Sequence, residues 1–300
     1  MQYENCKLSE NVHNQKYQLI IADYLSDTSS ISNNPRVVML GGQPGSGKTK
    51  MRELAEKEIY SVVINADDLR DFHPMYRKLK FSNPEKASYL VNYDVSIWTK
   101  KLIEQSVRER RNIVFDFTFG TSNQEMLREM LTMFRKNGYE MQLWILAVPA
   151  QFSKLGVYMR NEWQIRQTGL GRFVSMEAHD INYRNISANL QMVVENALVD
   201  RICIFSRLVE LVEGKFVNNQ VTRVYAFSKT DLDFADAAEL FQKLRNEPLT
   251  TELNDYFSFR LKQIVSMTNK RLNEALEAGD AEKAKYISEY KNQLLTIDSK

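Results

Sequence analysis

Apolar runs of strand length recur along the chain, and segments with a helical repeat separate them. Most of these runs are continuous rather than alternating, which is typical of strands covered on both faces. Strands that alternate with helices predict right-handed βαβ units and a mainly parallel sheet between two layers of helices. The predicted strands are residues 37–42, 61–65, 112–118, 142–148, 201–205 and 221–227.

The segments between the predicted strands carry the helical signals. Helices are predicted over residues 49–58, 83–109 and 122–137. An apolar stripe runs along the last of these, and Gly138 follows it where a helix C-cap is expected. Before the first strand, the polar residues 26–35 predict a turn-rich connector after a short N-terminal helix.

The pattern changes after Ser228, where the chain shows no convincing strand. Apolar residues keep a helical spacing between Leu253 and Leu276, and Gly279 marks the end of that helix. A second helix is predicted over residues 281–295, which makes a helical hairpin whose simplest role is packing or dimer contact. We therefore expect an α/β domain over residues 1–230 and a C-terminal helical extension over residues 231–300.

Composition excludes several classes of protein. A chain of 300 residues with 43% hydrophobic and 26% charged residues is typical of a soluble globular protein. The net charge of +2 is too small for a dedicated nucleic-acid binder. Two cysteines, Cys6 and Cys203, argue against a disulfide scaffold and favour a reducing cytoplasm. The N-terminus lacks a signal-peptide pattern and no apolar run reaches bilayer length, so we expect no membrane partner.

One contiguous motif predicts phosphate binding, because it matches G-x-x-x-x-G-K-[ST] and lies between an apolar strand and a helix. Gly45 and Gly47 allow backbone N–H groups to converge on phosphate oxygens at the positive end of that helix. Lys48 is expected to reach the β- and γ-phosphates, and the Thr49 hydroxyl to bind Mg²⁺. The predicted nucleotide-binding residues are Gly42, Gln43, Pro44, Gly45, Ser46, Gly47, Lys48 and Thr49.

Acidic residues follow the second and third predicted strands, at the edge where doubly wound sheets bind ligands. Asp67 or Asp68 can supply a base that accepts the proton of an acceptor hydroxyl, and either can instead cap the next helix. Asp116 ends the third strand and could hold the Mg²⁺ water shell or bind substrate. Phe117 follows it where many ATPases carry a second acid, which weakens a hydrolase interpretation.

Arginines after the fourth strand are candidates for the transferring phosphate. Arg160, Arg166 and Arg172 are six residues apart, and a step that rotates by roughly 240° net prevents all three from sharing one helix face. Glycines beside Arg172 favour it as the residue on a mobile segment that folds over the nucleotide. Solvent-exposed helix arginines are the alternative, most of all for Arg166.

The remaining residue patterns carry little chemistry. His73, beside Pro74, could bind a substrate or could be a hydrogen-bonded loop residue. No grouping of His, Cys and Asp has the spacing of metal ligands, so we expect no protein-bound zinc. No Ser-His-Asp or Cys-His signature predicts acyl transfer.

Taken in order, five motifs resemble the zeta toxin family over about residues 36–227. They are GGQPGSGKT, VINADDLRDFHPMY, a threonine two residues after a strand-end acid, LAVP followed by two arginines, and Ala178-His179-Asp180. The resemblance implies a three-layer P-loop kinase-like fold and ATP- and Mg²⁺-dependent phosphorylation of UDP-N-acetylglucosamine on its sugar. It also implies a bacterial toxin that acts on wall synthesis and a small antitoxin that blocks the nucleotide cleft.

The resemblance also assigns roles to individual residues. The family's P-loop lysine falls on Lys48 and its two nucleotide-side arginines on Arg160 and Arg172. Its general base falls on Asp67, which favours this residue over Asp68. These four residues form the expected catalytic set.

On the acceptor side the resemblance places Thr118 near the sugar, and Asp116 and His73 are further candidates for substrate binding. The usual E-G-T of the family is D-F-T here, and Gly120 stands where an arginine is common. These departures keep two alternatives open: a P-loop kinase for another small hydroxyl compound, such as an antibiotic or a nucleoside, and a nucleotide-dependent interaction protein whose helical tail binds a partner.

Overall fold

The computed structural model describes residues 6–82, 86–212 and 215–297. The strands are β1 (Arg36–Gly41), β2 (Val62–Asn65), β3 (Ile113–Asp116), β4 (Glu140–Leu146), β5 (Arg201–Val212) and β6 (Lys215–Ser228). The helices are α1 (Glu10–Leu25), α2 (Lys48–Glu58), α3 (Ala66–Leu69), α4 (Tyr76–Ser82), α5 (Ala87–Leu90), α6 (Asn92–Arg108), α7 (Gln124–Lys136), α8 (Ala150–Thr168), α9 (Met176–Glu195), α10 (Ala237–Asn246), α11 (Thr251–Glu277) and α12 (Ala281–Leu295).

All six strands form one sheet in the order β2-β3-β1-β4-β5-β6. The first five are parallel, and β6 runs antiparallel to β5 at one edge. Successive side chains of a strand point to opposite faces, so Val37 and Met39 join one hydrophobic core while Val38 and Leu40 join a second. Helices cover both cores, which confirms the predicted three-layer α/β fold with a mainly parallel sheet.

Strand register brings the polar strand ends together. Asp116 at the end of β3 pairs with Leu40 of β1 on one side and with Asn65 of β2 on the other. Because these three strands are parallel and end at the same level, the loops that follow them open at one edge of the sheet.

Three predicted elements differ in length from those of the structure. The strands predicted over 201–205 and 221–227 are parts of a longer antiparallel hairpin, β5 and β6, with a register shift between Ile204 and Phe205. Backbone pairing within a hairpin sustains a strand beyond its buried, continuously apolar part, so the apolar pattern underestimates it. The long helix predicted over 83–109 is α5 followed by α6, and residues 83–85 lie outside the described residues.

The C-terminal helices pack on the α/β core. Helix α11 lies against α8 and β5, and α12 lies against α11. Tyr256, Ile264, Tyr290 and Leu294 from these two helices are buried in the second core. The predicted hairpin of helices is confirmed, and α10 precedes it against α9. Among the helices of the described residues, none has the length and hydrophobicity needed to cross a membrane.

Candidate active site

A cleft of about 740 Å³ opens at the edge of the sheet where β1, β2 and β3 end. The predicted site residues that line it are Gln43, Pro44, Gly45, Gly47, Lys48, Thr49, Asp67, Asp116, Thr118, Arg160 and Arg172. Gly42 and Ser46 belong to the same loop and are buried within it. The structure therefore gathers residues from five separate segments of the chain around one cavity.

The loop between β1 and α2 has the backbone conformation of a phosphate cradle. Gly45 and Gly47 have φ values of 78° and 102°, in the region that favours glycine. A Cβ at position 45 would lie 2.0 Å from the Ser153 carbonyl oxygen, so the close approach of α8 also requires glycine there. Helix α2 begins at Lys48, and its N-terminal N–H groups favour an anion at this point.

Lys48 is held across the cleft by the end of β3. Its Nζ donates to Asp116 Oδ1 at 3.0 Å and to the Phe117 carbonyl at 2.8 Å. Asp116 is buried, and its second oxygen accepts a hydrogen bond from Asn65 Nδ2 at 2.8 Å. Lys48 and Asp116 thus form a charge pair in the floor of the cleft.

Asp67 faces the same cavity from the start of α3. Asn65 caps that helix, because its Oδ1 accepts the Asp67 N–H at 2.7 Å, so neither Asp67 nor Asp68 is the cap. The Asp67 carboxylate accepts hydrogen bonds from both Arg172 and Arg70, with Arg172 Nη2 2.7 Å from Oδ1. Burial alone would raise the pKa of Asp67, but the two guanidiniums outweigh it and lower the pKa to about 2.

Asp68 has a different environment although it is the next residue. Its side chain is 52% exposed and pairs with Arg52 of α2 at 3.2 Å. Partial burial raises the pKa of Asp68 even though Arg52 opposes that shift. Of the two acids, Asp67 is the one held by the arginines opposite the phosphate-binding loop.

Part of the Arg160 guanidinium on α8 lacks a hydrogen-bond partner in the described part of the chain. Its Nε and Nη2 are buried and have no hydrogen-bond partner among the described residues. Burial, with the nearby charge of Arg172, lowers the pKa of Arg160 to about 10. A buried guanidinium without a partner is costly, so this geometry favours an anionic ligand in the cleft.

The charged side chains that line the cleft also favour an anionic ligand. Among the described residues, the cleft is lined by six basic side chains and three acidic ones. The basic set is Lys48, Arg52, Arg70, Arg160, Arg172 and Arg207. A surplus of guanidinium and ammonium groups around a glycine-rich loop fits a polyphosphate.

His73 does not reach the cleft, so its prediction as a substrate-binding residue is wrong. Its side chain is fully buried, with Nε2 3.7 Å from Asp94 Oδ2 and the ring 6.1 Å from that of Trp98. Burial lowers the pKa of the His73 ring. Contacts with α6 turn this ring toward the core, which a residue pattern in a loop does not reveal.

Four residues of the cleft were not predicted from the sequence. Asn65 caps α3 and also donates a hydrogen bond to Asp116. Arg70 and Arg172 both pair with Asp67. Arg52 lies 3.8 Å from Asp116. Arg207 of β5 lies against the loop, with Nη1 3.4 Å from the Ser46 carbonyl oxygen. Asparagine before an acid at a strand end is a usable signal for a helix cap, but no local pattern marks Arg207.

The wall next to Thr118 is aromatic. Phe117 lines the cleft and stacks on Phe115 with ring centroids 4.4 Å apart. Phe119 has a φ of 57°, an unusual conformation for a bulky residue, and is fully buried. At Gly120 a Cβ would lie 2.4 Å from Asn182 Oδ1, so the space that a longer side chain would need is already occupied.

Comparison with known proteins identifies relatives of the chain. The family model described as Zeta toxin matches residues 21–230. Toxin PezT of Streptococcus pneumoniae serotype 4 is 27% identical over 253 residues, which covers 82% of this chain and 88% of that protein. Toxin zeta of Enterococcus hirae is 29% identical over 178 residues, which covers 58% of this chain and 61% of that protein.

A solved structure shares the fold. It is described as the PezAT chromosomal toxin-antitoxin system of Streptococcus pneumoniae, and it matches with a TM-score of 0.70 at 21% identity. The match covers 87% of this chain and 99% of the other chain. Since the family model covers well over half of the sequence, the chain belongs to the zeta toxin family.

Proposed function

We propose that this protein is an ATP-dependent kinase that phosphorylates a sugar hydroxyl of UDP-N-acetylglucosamine or a related UDP-sugar. In this proposal it acts in the cytoplasm as a bacterial toxin against cell-wall precursor synthesis. One observation carries it: a phosphate-binding loop with Lys48 faces Asp67 across a cleft that Arg160 also lines, and two buried nitrogens of Arg160 have no hydrogen-bond partner among the described residues. Family membership and the kinase-like fold support the same reaction class.

The phosphate donor side uses the loop and three basic side chains. The N–H groups at the start of α2 and Lys48 take the β- and γ-phosphates, and Arg160 and Arg172 neutralise the transferring phosphoryl group. In the structure, Lys48 pairs with Asp116 and Arg172 pairs with Asp67. In the proposal the ATP phosphates replace these carboxylates as partners of the two cations, which frees Asp67 for the acceptor and Asp116 for Mg²⁺ or the substrate.

Asp67 acts as the base in this proposal. With Arg172 turned to the γ-phosphate, its carboxylate is free to accept a hydrogen bond from the sugar hydroxyl and then its proton. Loss of the neighbouring guanidinium also raises the pKa of Asp67 from the low value it has in the ion pair, which improves it as a base. Phosphoryl transfer needs this orientation of the nucleophile more than strong basicity.

Magnesium fits the donor set of the cleft. The Thr49 hydroxyl lies where α2 begins, and the Asp116 carboxylate lies nearby in the floor, and both offer the oxygen ligands that Mg²⁺ prefers. Bound with ATP, Mg²⁺ supplies positive charge to the phosphate oxygens.

The acceptor side carries the specificity. Asp116 and Thr118 line the cleft and can hydrogen-bond a sugar, while Phe117 narrows the space beside them. Because Asn182 fills the volume beyond Gly120, no basic side chain reaches the acceptor from that position. These features favour, as a second candidate, a kinase for another small hydroxyl compound such as an antibiotic or a nucleoside.

A panel experiment tests the proposal. The full chain is incubated with ATP, Mg²⁺ and a set of UDP-sugars, and the phosphorylated product and carbon are mapped by mass spectrometry. Phosphorylation of a UDP-sugar that disappears in Lys48→Ala and Asp67→Asn supports the proposal. Transfer only to compounds that are not UDP-sugars supports the second candidate. No transfer to any hydroxyl compound, from protein that binds ATP, would overturn both.

The proposed partner is a small antitoxin protein that covers the nucleotide cleft. Such a partner would keep ATP from the basic side chains of the cleft, so its binding and ATP binding should exclude each other. The structure of the PezAT system is described as a toxin-antitoxin system, which supports a partner of this kind. Titration of ATP against the preformed complex tests the exclusion: undiminished ATP affinity in the complex would contradict it.

A further inference from the structure

A buried hydrogen-bond chain starts at Gln43 of the phosphate-binding loop and continues through Ser153, His179 and Asp180, three residues with no role in the proposed reaction. Gln43 Nε2 lies 3.1 Å from Ser153 Oγ, which lies 2.8 Å from His179 Nε2. His179 Nδ1 in turn lies 2.9 Å from Asp180 Oδ1. Gln43 is also anchored to the loop after β4, since its Nε2 donates to the Val148 carbonyl at 2.9 Å.

The direction of each hydrogen bond follows from the groups present. A carboxylate only accepts, so His179 Nδ1 donates its proton to Asp180, and Nε2 is left as an acceptor. Burial lowers the pKa of the His179 ring although Asp180 opposes that shift, which keeps the ring neutral. The Ala150 carbonyl lies 3.0 Å from Ser153 Oγ and competes for the hydroxyl proton. Donation to Nε2 is favoured because it satisfies that otherwise unpaired buried nitrogen.

The order Ser-His-Asp is that of a hydrolase triad, but this one has no access to a substrate. Ser153 and His179 are both 0% exposed. A nucleophile that no acyl group can reach has no covalent role, so the chain must act through the groups that it holds.

Those groups belong to three separate elements of the phosphate site. Gln43 is part of the loop that carries Lys48, and Gly45 of the same loop packs directly against the Ser153 carbonyl. Ser153 is in the first turns of α8, about two turns before Arg160 on the same helix. His179 is in the first turn of α9, whose N-cap follows Arg172 by three residues. One hydrogen-bonded chain therefore ties the loop to the helix that carries Arg160 and to the helix that follows Arg172.

We propose that Ser153 and His179 are positioning residues that hold the phosphate-binding loop in register with Arg160 and Arg172. The inference rests on the proposed function only through ATP binding, and the acceptor plays no part in it. Loss of the Ser153 hydroxyl removes the link between Gln43 and His179 and lets the loop shift relative to the arginines. ATP affinity then falls while the acceptor site stays as it was.

The experiment uses the full chain and measures the ATP Kd by calorimetry, the KM for ATP and for the acceptor, and the free energy of unfolding. Ser153→Ala should raise the Kd and the KM for ATP about tenfold and leave the acceptor KM unchanged. Ser106→Ala is the matched control, because Ser106 is equally buried and bonds a helix carbonyl in α6, away from the cleft. It should leave the ATP Kd unchanged.

Two substitutions at His179 separate positioning from packing. His179→Gln places an amide where Nε2 contacts Ser153, whereas His179→Asn places one where Nδ1 contacts Asp180. The proposal predicts near wild-type ATP affinity for His179→Gln and a loss like that of Ser153→Ala for His179→Asn. Equal ATP affinity in both variants, or an unchanged Kd in Ser153→Ala, would overturn it.

The two proposals can fail separately. If the wild-type chain binds ATP but phosphorylates no acceptor, the proposed function fails, and the Kd series still decides the role of Ser153 and His179. If the wild-type chain binds no ATP, both fail.

Discussion

The guanidinium of Arg172 lies on the carboxylate of Asp67, with Nη2 2.7 Å from Oδ1 and Nη1 bonded to Oδ2. These residues come from a loop before α9 and from the start of α3, which are 105 positions apart in sequence. Both residues line the cleft, and the contact engages two groups that the proposed reaction needs.

This pair predicts opposite effects of Asp67→Asn on binding and on chemistry. Removing the carboxylate charge releases Arg172 and Arg70 for phosphate, so the ATP Kd should be unchanged or lower. Loss of the base should reduce the rate of transfer by about 10²–10⁴-fold. Calorimetry and single-turnover kinetics measure the two effects. Weaker ATP binding in Asp67→Asn would mean that Arg172 does not compete between Asp67 and phosphate.

The same pair predicts a dependence of stability on pH. The pKa of Asp67 is lowered to about 2 in the folded chain, so the ion pair stabilises the fold above the ordinary aspartate pKa. That contribution should be lost as the pH falls from about 4 toward 2. Because the side chain is 35% exposed, about 1 kcal/mol is expected at neutral pH.

Denaturant unfolding of the wild type and Asp67→Asn at several pH values measures this contribution. The difference in unfolding free energy should shrink on acidification. A difference that stays constant from neutral pH to about pH 2.5 would show that Asp67 is not ionised in a stabilising pair.

Arg160 offers a test in which stability and function change in opposite directions. Its guanidinium is buried among other cations and has two nitrogens without described partners, so Arg160→Met should leave the ligand-free protein equally or more stable. Transfer should fall by about 10³-fold, because the charge on the transferring phosphoryl group loses a partner.

Thermal unfolding with and without ATP shows both effects in one measurement. Arg160→Met should keep its unliganded Tm and lose most of the ATP-induced increase in Tm. Arg166→Met is the matched control, since Arg166 lies on the same helix and is absent from the lining of the cleft. A large loss of unliganded Tm in Arg160→Met would contradict the role of an unpaired ligand-binding cation.

Local sequence patterns predicted the parts of the site that depend on a few consecutive residues. The loop from Gly42 to Thr49 needs only its own glycines and its place between β1 and α2. Asp67 and Asp116 could be placed at one edge because parallel strands end together. Such reasoning identifies candidate residues, because each local pattern needs only its neighbours in sequence or the shared edge of a parallel sheet.

The missed features depend on how distant segments pack. The chain of Ser153, His179 and Asp180 requires α8 and α9 to meet at one register, which no spacing in the sequence encodes. His73 was placed wrongly for the same reason, because Asp94 and Trp98 of α6 decide where its ring lies.

A buried ion pair joins the C-terminal helices to the α/β core, and its loss should lower the free energy of unfolding. We propose that residues 1–230 carry the catalytic machinery and that residues 231–300 form a helical cover that is needed for its folding. Glu162 of α8 is 1% exposed and pairs with Arg271 of α11, and burial raises the pKa of Glu162 although Arg271 opposes that shift. Arg271→Leu should lower the free energy of unfolding by about 3–5 kcal/mol, because it leaves a buried carboxylate unpaired.

Two further variants separate charge from packing at this contact. Adding Glu162→Gln to Arg271→Leu should recover most of the loss, since no buried charge then remains. Lys270→Ala is a neutral control, because Lys270 is 80% exposed. For Arg271→Leu alone the loss should be smaller near pH 4.5 than at neutral pH, as Glu162 becomes protonated. A pH-independent loss would assign the effect to packing.

Phe117 should control the choice of acceptor. Its ring lines the cleft beside Thr118, whereas Lys48 contacts only its backbone carbonyl, so the side chain can change without loss of the lysine anchor. Phe117→Gly should change the ratio of kcat/KM between larger and smaller acceptors by about tenfold in favour of larger ones, and leave the KM for ATP unchanged.

Phe119→Leu is the control for this prediction, because the Phe119 ring packs edge-on against Phe117 but is fully buried. This substitution should lower stability without changing the ratio of kcat/KM between acceptors. Parallel changes in the KM for ATP and for the acceptor in Phe117→Gly would show instead that the aromatic wall supports the loop and does not select the acceptor.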